Sequence, residues 1–354
     1  MTPSLPALSI AVPTFNRSAA LHRLLESVER ALTRIDRTRV EVVVADNGSP
    51  DDTPAVLDHW RNRLGVRVHR QPANLGVERN IATLIGMSQG SFIWFSGDDD
   101  MLADDVLEWL LPKVESGQSD LFIVPSARVD DPYGNTAVAF GLTGPIRAPL
   151  WRLMDRFGLF GVLGGLGYPV FRRSQLDHVE RFIAFKTEYV HTFSIAASFY
   201  DRPTEMVERT AFLTPMMDQV QYDDYLRRWQ PSAANHMPGV VGAVLDLQRL
   251  GVIRDDTPPS FFKRYYNEPW PIHFMIYREL ARRIFFDVYR PNDSEWLEFS
   301  RFFGLLRDPR YAEIFERIRQ GYVELEAMRR TIADLADHPP SIGIGPPWPE
   351  DATA

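Results

Sequence analysis

The sequence predicts an α/β fold: a mostly parallel sheet flanked by helices, with a helical extension toward the C-terminus. Two patterns predict it. Within the first 125 residues, five apolar runs of strand length alternate with segments whose apolar residues recur at helical spacing. Four of those runs then end in polar clusters. In an open parallel sheet such ends lie along one edge, where ligands bind.

The elements follow in order. Leu8 to Val12 is an apolar strand, and Leu21, Leu24, Leu25, Val28 and Leu32 mark the helix after it. Val40 to Val44 is a second strand, rich in β-branched residues. Thr53-Pro54 reads as a helix N-cap with proline at the first helical position, and Val56, Leu57 and Trp60 supply the apolar face. Val66 to His69 is a third strand. Ile81, Leu84 and Ile85 mark another helix, with Gly90 as its stop. Phe92 to Phe95 is the fourth strand. Asp104 and Asp105 open a helix carrying Val106, Leu107, Leu110 and Leu111, where acids suit the helix dipole. Leu121 to Val124 is the fifth strand.

From about Tyr133 the rhythm breaks, and glycine and proline become frequent. Tyr168 to Arg172 reads as a further strand, and Val179 to Phe199 is mixed in character. Beyond about Pro231 the pattern is largely helical. The division expected is a catalytic domain over 1–230, a helical region over 231–338 and a poorly ordered tail over 339–354, which holds five prolines. Within the first of these, residues 7–125 and 126–230 form two halves. The C-terminal aromatics Phe261, Phe262, Tyr265, Tyr266 and Trp270 are expected to pack against the catalytic domain.

Composition narrows the classes. An apolar content of 45% and a charged content of 24% are those of a soluble globular protein. A net charge of −8 argues against nucleic acid as a partner. The absence of cysteine removes thiolate catalysis and Cys-based zinc sites and suits a reducing compartment. The N-terminus lacks a signal-peptide pattern, and no apolar run reaches the roughly 18 residues of a membrane span.

The four polar strand ends carry the chemistry. They are Pro13-Thr14-Phe15-Asn16-Arg17, Asp46-Asn47-Gly48-Ser49, Gln71-Pro72-Ala73-Asn74-Leu75-Gly76, and Gly97-Asp98-Asp99-Asp100. An isolated acidic triplet is usually a solvated turn. As the last of four convergent polar ends, it is better read as part of a pocket for a hard divalent cation, which carboxylate oxygens suit.

In order and spacing these motifs resemble family 2 glycosyltransferases of the GT-A (Rossmann-like) fold, closest to transferases of bacterial surface polysaccharides, including the abequosyltransferase-like group. The resemblance is strong over about residues 7–125 and weak to about 200. It implies a nucleotide-diphosphate sugar donor, Mn²⁺ or Mg²⁺, and a saccharide or lipid-linked saccharide acceptor. It places the protein in the cytoplasm, with peripheral contact at the inner face of the membrane, and leaves room for a homo-oligomer. Pro13 and Thr14 would hold the base, and Asp46 would bond a pyrimidine ring N–H. An Asx-turn with Asn47-Gly48 is the other role open to Asp46, and the two coexist. Asn16, Arg17, Asn74 and Arg79 are further nucleotide-sugar contacts. Arg17 and Arg79 are phosphate candidates, with a plain surface arginine as the alternative for Arg17, while Asn74 and Asn80 equally suit holding a loop.

Gly97 stands where the family's first Asp often does. Asp98 then meets the ribose, Asp99 the metal, and Asp100 either ligates the metal or supports it, with His236 as a weaker metal ligand. The resemblance implies a base that deprotonates the acceptor, an acid beyond the metal motif; this would be Glu188, 88 residues after Asp100, with Asp223 or Asp224 as alternatives. His191 would share a helical face with Glu188, although a structural histidine is the commoner outcome. Two other readings stand beside the transferase. A nucleotide-binding scaffold without turnover draws on Gly97. A nucleotidyltransferase is disfavoured because no Gly-rich, Arg/Lys-bearing phosphate loop is found near the N-terminus.

Overall fold

The computed structural model describes residues 5–128 and 142–214, with scattered positions between 243 and 327. Asp223, Asp224, His236, most of the helical C-terminal region and the proline-rich tail lie outside the described residues. The strands are β1 (Leu8–Thr14), β2 (Val40–Asp46), β3 (Arg67–Arg70), β4 (Phe92–Phe95), β5 (Met101–Leu102), β6 (Leu121–Ile123), β7 (Ser126–Arg128), β8 (Ile146–Pro149), β9 (Pro169–Arg172), β10 (Pro203–Met206) and β11 (Phe212–Thr214). The helices are α1 (Ser18–Leu32), α2 (Thr53–Leu64), α3 (Val77–Met87), α4 (Val106–Glu115), α5 (Leu150–Phe157), α6 (Leu159–Leu163), α7 (Val179–Ile183) and α8 (Val190–Phe199).

Eight strands form one sheet in the order β3-β2-β1-β4-β9-β6-β10-β8. The first four run parallel, as the alternation of strands and helices requires. β9 then enters antiparallel to both β4 and β6, so β4 and β6, the fourth and fifth strands of the alternating series, are not neighbours. A second sheet, β5-β11-β7, was not foreseen, because its strands have only two or three residues each.

Side-chain alternation along the strands separates two cores. Leu8, Ile10 and Val12 of β1, with Val40, Val42 and Val44 of β2, face α1, α2 and α4. Ala11, Val43, Ala45, Ile93 and Phe95 face the other way, onto α3, α5 and α8. The Gly-rich stretch from Leu159 into β9 is a packed segment: Leu159, Val162, Leu163 and Phe171 are all buried.

Two helix boundaries differ from expectation. α2 does begin with proline in its first turn, but Asp52 occupies the N-cap position. Asp51 supplies the capping oxygens. It accepts the Thr53 N–H at 3.1 Å and, across the loop, the Ser18 N–H of α1 at 3.0 Å. One carboxylate thus satisfies the starts of both helices. α3 ends at Met87, so Gly90 is not its stop. Gly90 instead lies flat against β1, where a Cβ would sit 2.6 Å from the Ser9 nitrogen. Its N–H donates to Ser9 Oγ at 2.9 Å and to Glu41 Oε1 at 3.0 Å. Glu41 also accepts from Ser9 and Arg67, joining β1, β2, β3 and the approach to β4 at the edge opposite the polar clusters.

Gly90→Ala is expected to lower unfolding stability by about 1–3 kcal/mol through overpacking against backbone that cannot yield. Urea denaturation reads this directly, and an unchanged midpoint would show that the close approach is not needed.

Candidate functional site

The register of the parallel strands sets the polar ends side by side. Thr14 pairs with Asp46, and Asp46 pairs with Arg70, so β1, β2 and β3 finish level. The chain leaving β4 runs through Ser96 and Gly97 into the acidic triplet beside the end of β1. Thr14 Oγ1 donates to Asp98 Oδ2 at 2.8 Å. Arg17 reaches the triplet from the start of α1. Its Nη1 donates to Asp98 Oδ1 at 3.0 Å and to Asp99 Oδ2 at 2.7 Å. The turn that aims it there is made by Asn16 in the left-handed region (φ 57°), where asparagine is among the tolerated residues. The Asn16 N–H donates to Ser49 Oγ at 2.8 Å, tying this turn to the loop after β2.

Asp46 is fully buried. Its Oδ1 accepts the Ser49 N–H at 2.9 Å, so the turn role is real. Its Oδ2 faces the Arg70 Nε at 3.3 Å but receives no hydrogen bond, which leaves a buried acceptor at the sheet edge. Asn47 stitches the neighbouring loops. Its N–H donates to the Thr14 carbonyl, its Nδ2 donates to Asn74 Oδ1 at 2.8 Å, and its Oδ1 accepts the Leu75 N–H at 2.9 Å. Gly48 (φ 78°) lies so close to Ala73 that a Cβ would meet its backbone at 2.8 Å. Asn74 therefore holds the loop together, and Asn80 anchors α3 by donating to the Ala45 carbonyl at 2.7 Å.

Arg17 meets two of the triplet's three carboxylates, so the triplet holds more acid groups than the guanidinium pairs. Burial, with the charge of Asp99 added, pushes the Asp98 carboxyl above the usual range, against the opposing pull of Arg17 and Thr14. Burial pushes Asp100 up to about 7, again reinforced by Asp99. Burial works against the Arg17 charge, but Asp98 and Asp99 hold its pKa above even the usual arginine range. Asp100 is tethered from far along the chain, where Thr214 Oγ1 of β11 donates to its Oδ1 at 2.8 Å. Asp99 Oδ1 and Asp100 Oδ2 both lie over Gly97, 3.0 and 2.8 Å from where a Cβ would be. A side chain at Gly97 would fill that space.

The donor set, hard oxygens under uncompensated negative charge beside a glycine, fits Mg²⁺ or Mn²⁺. Among the described residues, however, no three acidic or histidine side chains converge on a common metal position. Asp98 and Asp99 are turned to Arg17, and Asp100 to Thr214.

Glu188 stands just before α8 in the left-handed region (φ 62°), an unusual conformation for glutamate that tends to accompany function. Its N–H donates at 2.9 Å to Oε1 of Glu78 in the first turn of α3, so it is held against the helix that follows the third polar cluster. Glu188 is outside α8, so it does not share a helical face with His191 as the spacing suggested. His191 is buried, and burial pushes its imidazole down to about 4. Arg79 pairs with Glu180 of α7 at 2.8 Å on the exposed surface, while Asp104 and Asp105 open α4 as expected, Asp105 at its N-cap position, with their side chains paired to Arg30 and Arg209. Thr214 and Glu78 carry no local pattern to mark them, because each acts across more than 100 positions, and the bond from Ser18 to Asp51 spans 33.

His191 stays neutral in the fold but protonates in the unfolded chain below about pH 6.5. The unfolded state then binds more protons, so stability falls as pH drops from about 6.5 toward 4. His191→Asn should remove a contribution on the order of 2–3 kcal/mol from that decline. Chemical denaturation of both proteins at pH 7 and pH 4.5 reads it, and parallel profiles would refute it.

Residues 9–160 match the family described as Glycosyl transferase family 2. The abequosyltransferase RfbV of Salmonella typhimurium is 33% identical over 119 residues, 33% of this chain and 34% of that protein. The GalNAc(5)-diNAcBac-PP-undecaprenol beta-1,3-glucosyltransferase of Campylobacter jejuni is 30% identical over 121 residues, 33% of this chain and 38% of that protein. The chain thus spans little more than a third of the length of these relatives. In fold it is similar to residues 1–349 of S. aureus TarS, solved in complex with UDP-GlcNAc, with a TM-score of 0.55 at 13% identity, covering 92% of each chain. On these matches, residues 9–160 are similar to glycosyl transferase family 2, and the fold is that of GT-A glycosyltransferases.

Proposed function

We propose that this chain is an inverting, divalent-metal-dependent glycosyltransferase. It moves a sugar from a nucleoside-diphosphate donor to a hydroxyl of a saccharide acceptor, lipid-linked, in bacterial surface polysaccharide synthesis. One observation carries the reading. Where the sequence matches family 2, the buried carboxylates of Asp46, Asp98 and Asp100 are gathered with Asp99 at the ends of the parallel strands, four acids against the two guanidiniums of Arg17 and Arg70. The names of the relatives agree with it: one is an abequosyltransferase, and the other is named for a saccharide on PP-undecaprenol.

In this reading residues of about 7–125 hold the donor and those of about 126–230 the acceptor. The Oδ2 of Asp46, ion-paired with Arg70 but without a hydrogen bond, accepts a ring N–H of the base, in the wall formed by Pro13, Thr14, Asn16 and the Asn74 loop. Asp98 meets the ribose. Asp99 and Asp100 hold Mn²⁺ or Mg²⁺, which when bound supplies charge neutralisation at the departing diphosphate. Arg17 serves the diphosphate from the α1 side. The acceptor hydroxyl gives its proton to Glu188 and attacks the anomeric carbon opposite the diphosphate, so that one C–O bond forms as the other breaks and the configuration inverts. No helix among the described residues is long and apolar enough to cross a membrane, so contact with a lipid-linked acceptor is proposed to be peripheral.

Thermal shift against a panel of nucleotide sugars, with and without Mn²⁺, tests the donor side. The preferred donor should raise the melting temperature, and Mn²⁺ should add to it. Asp99→Asn should keep the nucleotide shift and lose the Mn²⁺ increment. A full panel with no shift and no turnover defeats the proposal. Glu188→Gln should bind donor as the wild type does while kcat falls about 10²- to 10⁴-fold; an unchanged kcat moves the base elsewhere.

A further inference from the structure

The Arg17 guanidinium occupies the point on which two acids of the triplet converge. A single nitrogen, Nη1, lies 3.0 Å from Asp98 Oδ1 and 2.7 Å from Asp99 Oδ2. The second oxygen of Asp98 is taken by Thr14 at 2.8 Å. Arg17 is three-quarters covered and Asp98 nearly fully so, which makes this an interior charge cluster rather than a mobile surface pair. Its geometry is built in. The left-handed turn at Asn16, the bond from the Asn16 N–H to Ser49 and the capping of α1 by Asp51 all fix where the Arg17 backbone starts.

A divalent cation bound by Asp99 needs that carboxylate, and it would stand beside a guanidinium that now holds the same group. At such distances two cations repel by several kcal/mol at protein-like dielectric values. Both cannot stay. The guanidinium needs a new anion when it leaves, and a nucleoside diphosphate is an anion whose phosphates a guanidinium fork matches.

We propose that Arg17 is a built-in counter-ion for the acidic triplet, displaced onto the donor diphosphate when metal and nucleotide bind together. This rests on the donor-and-metal reading above. It goes further in making Arg17 the residue that couples the two ligands: metal binds poorly alone because Arg17 holds its site, and nucleotide binds metal-dependently because the same residue then serves the phosphates. The coupling is reciprocal, as any linkage between two bound ligands must be.

Titration of Mn²⁺, followed by electron paramagnetic resonance of the free ion, tests this in a four-way comparison. Wild type and Arg17→Gln are each measured without nucleotide and with saturating UDP, and with GDP in parallel. Wild type should bind Mn²⁺ weakly alone and at least about tenfold more tightly with nucleotide. Arg17→Gln should bind Mn²⁺ alone about tenfold more tightly than wild type does, and its nucleotide-dependent gain should shrink to match. Arg17→Lys, which keeps the charge and loses the fork, should fall between the two. An equal gain in Arg17→Gln with and without nucleotide would mean a general charge effect and would overturn the inference, as would no gain at all. Should Arg17→Gln fail to fold, the wild-type pair still decides, because tight Mn²⁺ binding without nucleotide is incompatible with an occupied site. If neither UDP nor GDP supports any Mn²⁺ binding to wild type, the donor-and-metal reading falls, and the inference with it.

Discussion

Everything at the functional edge is arranged around a concentration of carboxylate charge that the fold buries. Asp46, Asp98 and Asp100 are nearly or fully inaccessible, and Asp99 sits among them. Burial disfavours the ionised forms of Asp98 and Asp100, and the surrounding structure supplies groups that offset that penalty. Thr14, Arg17, Ser49, Arg70 and Thr214 each direct a donor or a positive charge at one of these acids. Even so, the positive charges among them, Arg17 and Arg70, are fewer than the four carboxylates. That shortfall is what the proposed cation would offset, and it lies at the edge where the parallel strands end.

The opposite edge solves the same problem differently. Glu41 is also partly buried, yet hydrogen bonds from Ser9, Arg67 and the backbone at Gly90 hold its carboxylate below the usual range despite the opposing effect of burial. It joins strands and leaves no unmet acceptor of the kind seen at Asp46. The contrast separates a carboxylate whose oxygens are used for structure from one that keeps a buried oxygen without a hydrogen bond. The same distinction applies to the asparagines: Asn47 spends its side chain on three partners, while Asn80 fastens a helix to β2.

The two halves of the domain meet through long-range contacts at the site. Thr214 reaches Asp100 from β11, and Glu78 holds the backbone of Glu188. These contacts tie the strand that closes the small sheet, and the segment that carries the candidate base, to elements placed by the first hundred residues. A ligand bound at this edge would therefore be framed by residues that are more than 100 positions apart in the chain.

Much of the fold was legible in the sequence, because apolar periodicity is a local property. The runs at Leu8, Val40, Phe92 and Leu121 became strands where expected, and the residues of α1, α2, α3 and α4 showed their buried faces in their spacing. The polar clusters were legible for the same reason: strand ends are marked by where apolar runs stop. The position of β9 between β4 and β6, the small sheet, and the placement of Glu188 outside α8 were not legible, since each depends on which distant segment arrives. The sequence by itself determined that acids would gather at one edge of a parallel sheet. Only the tertiary structure decided that Arg17 rather than solvent meets Asp98 and Asp99, that Arg79 is turned away to Glu180, and that Thr214 takes Asp100. Charge pairing of this kind is chosen by distances across the fold, which no local pattern of residues records.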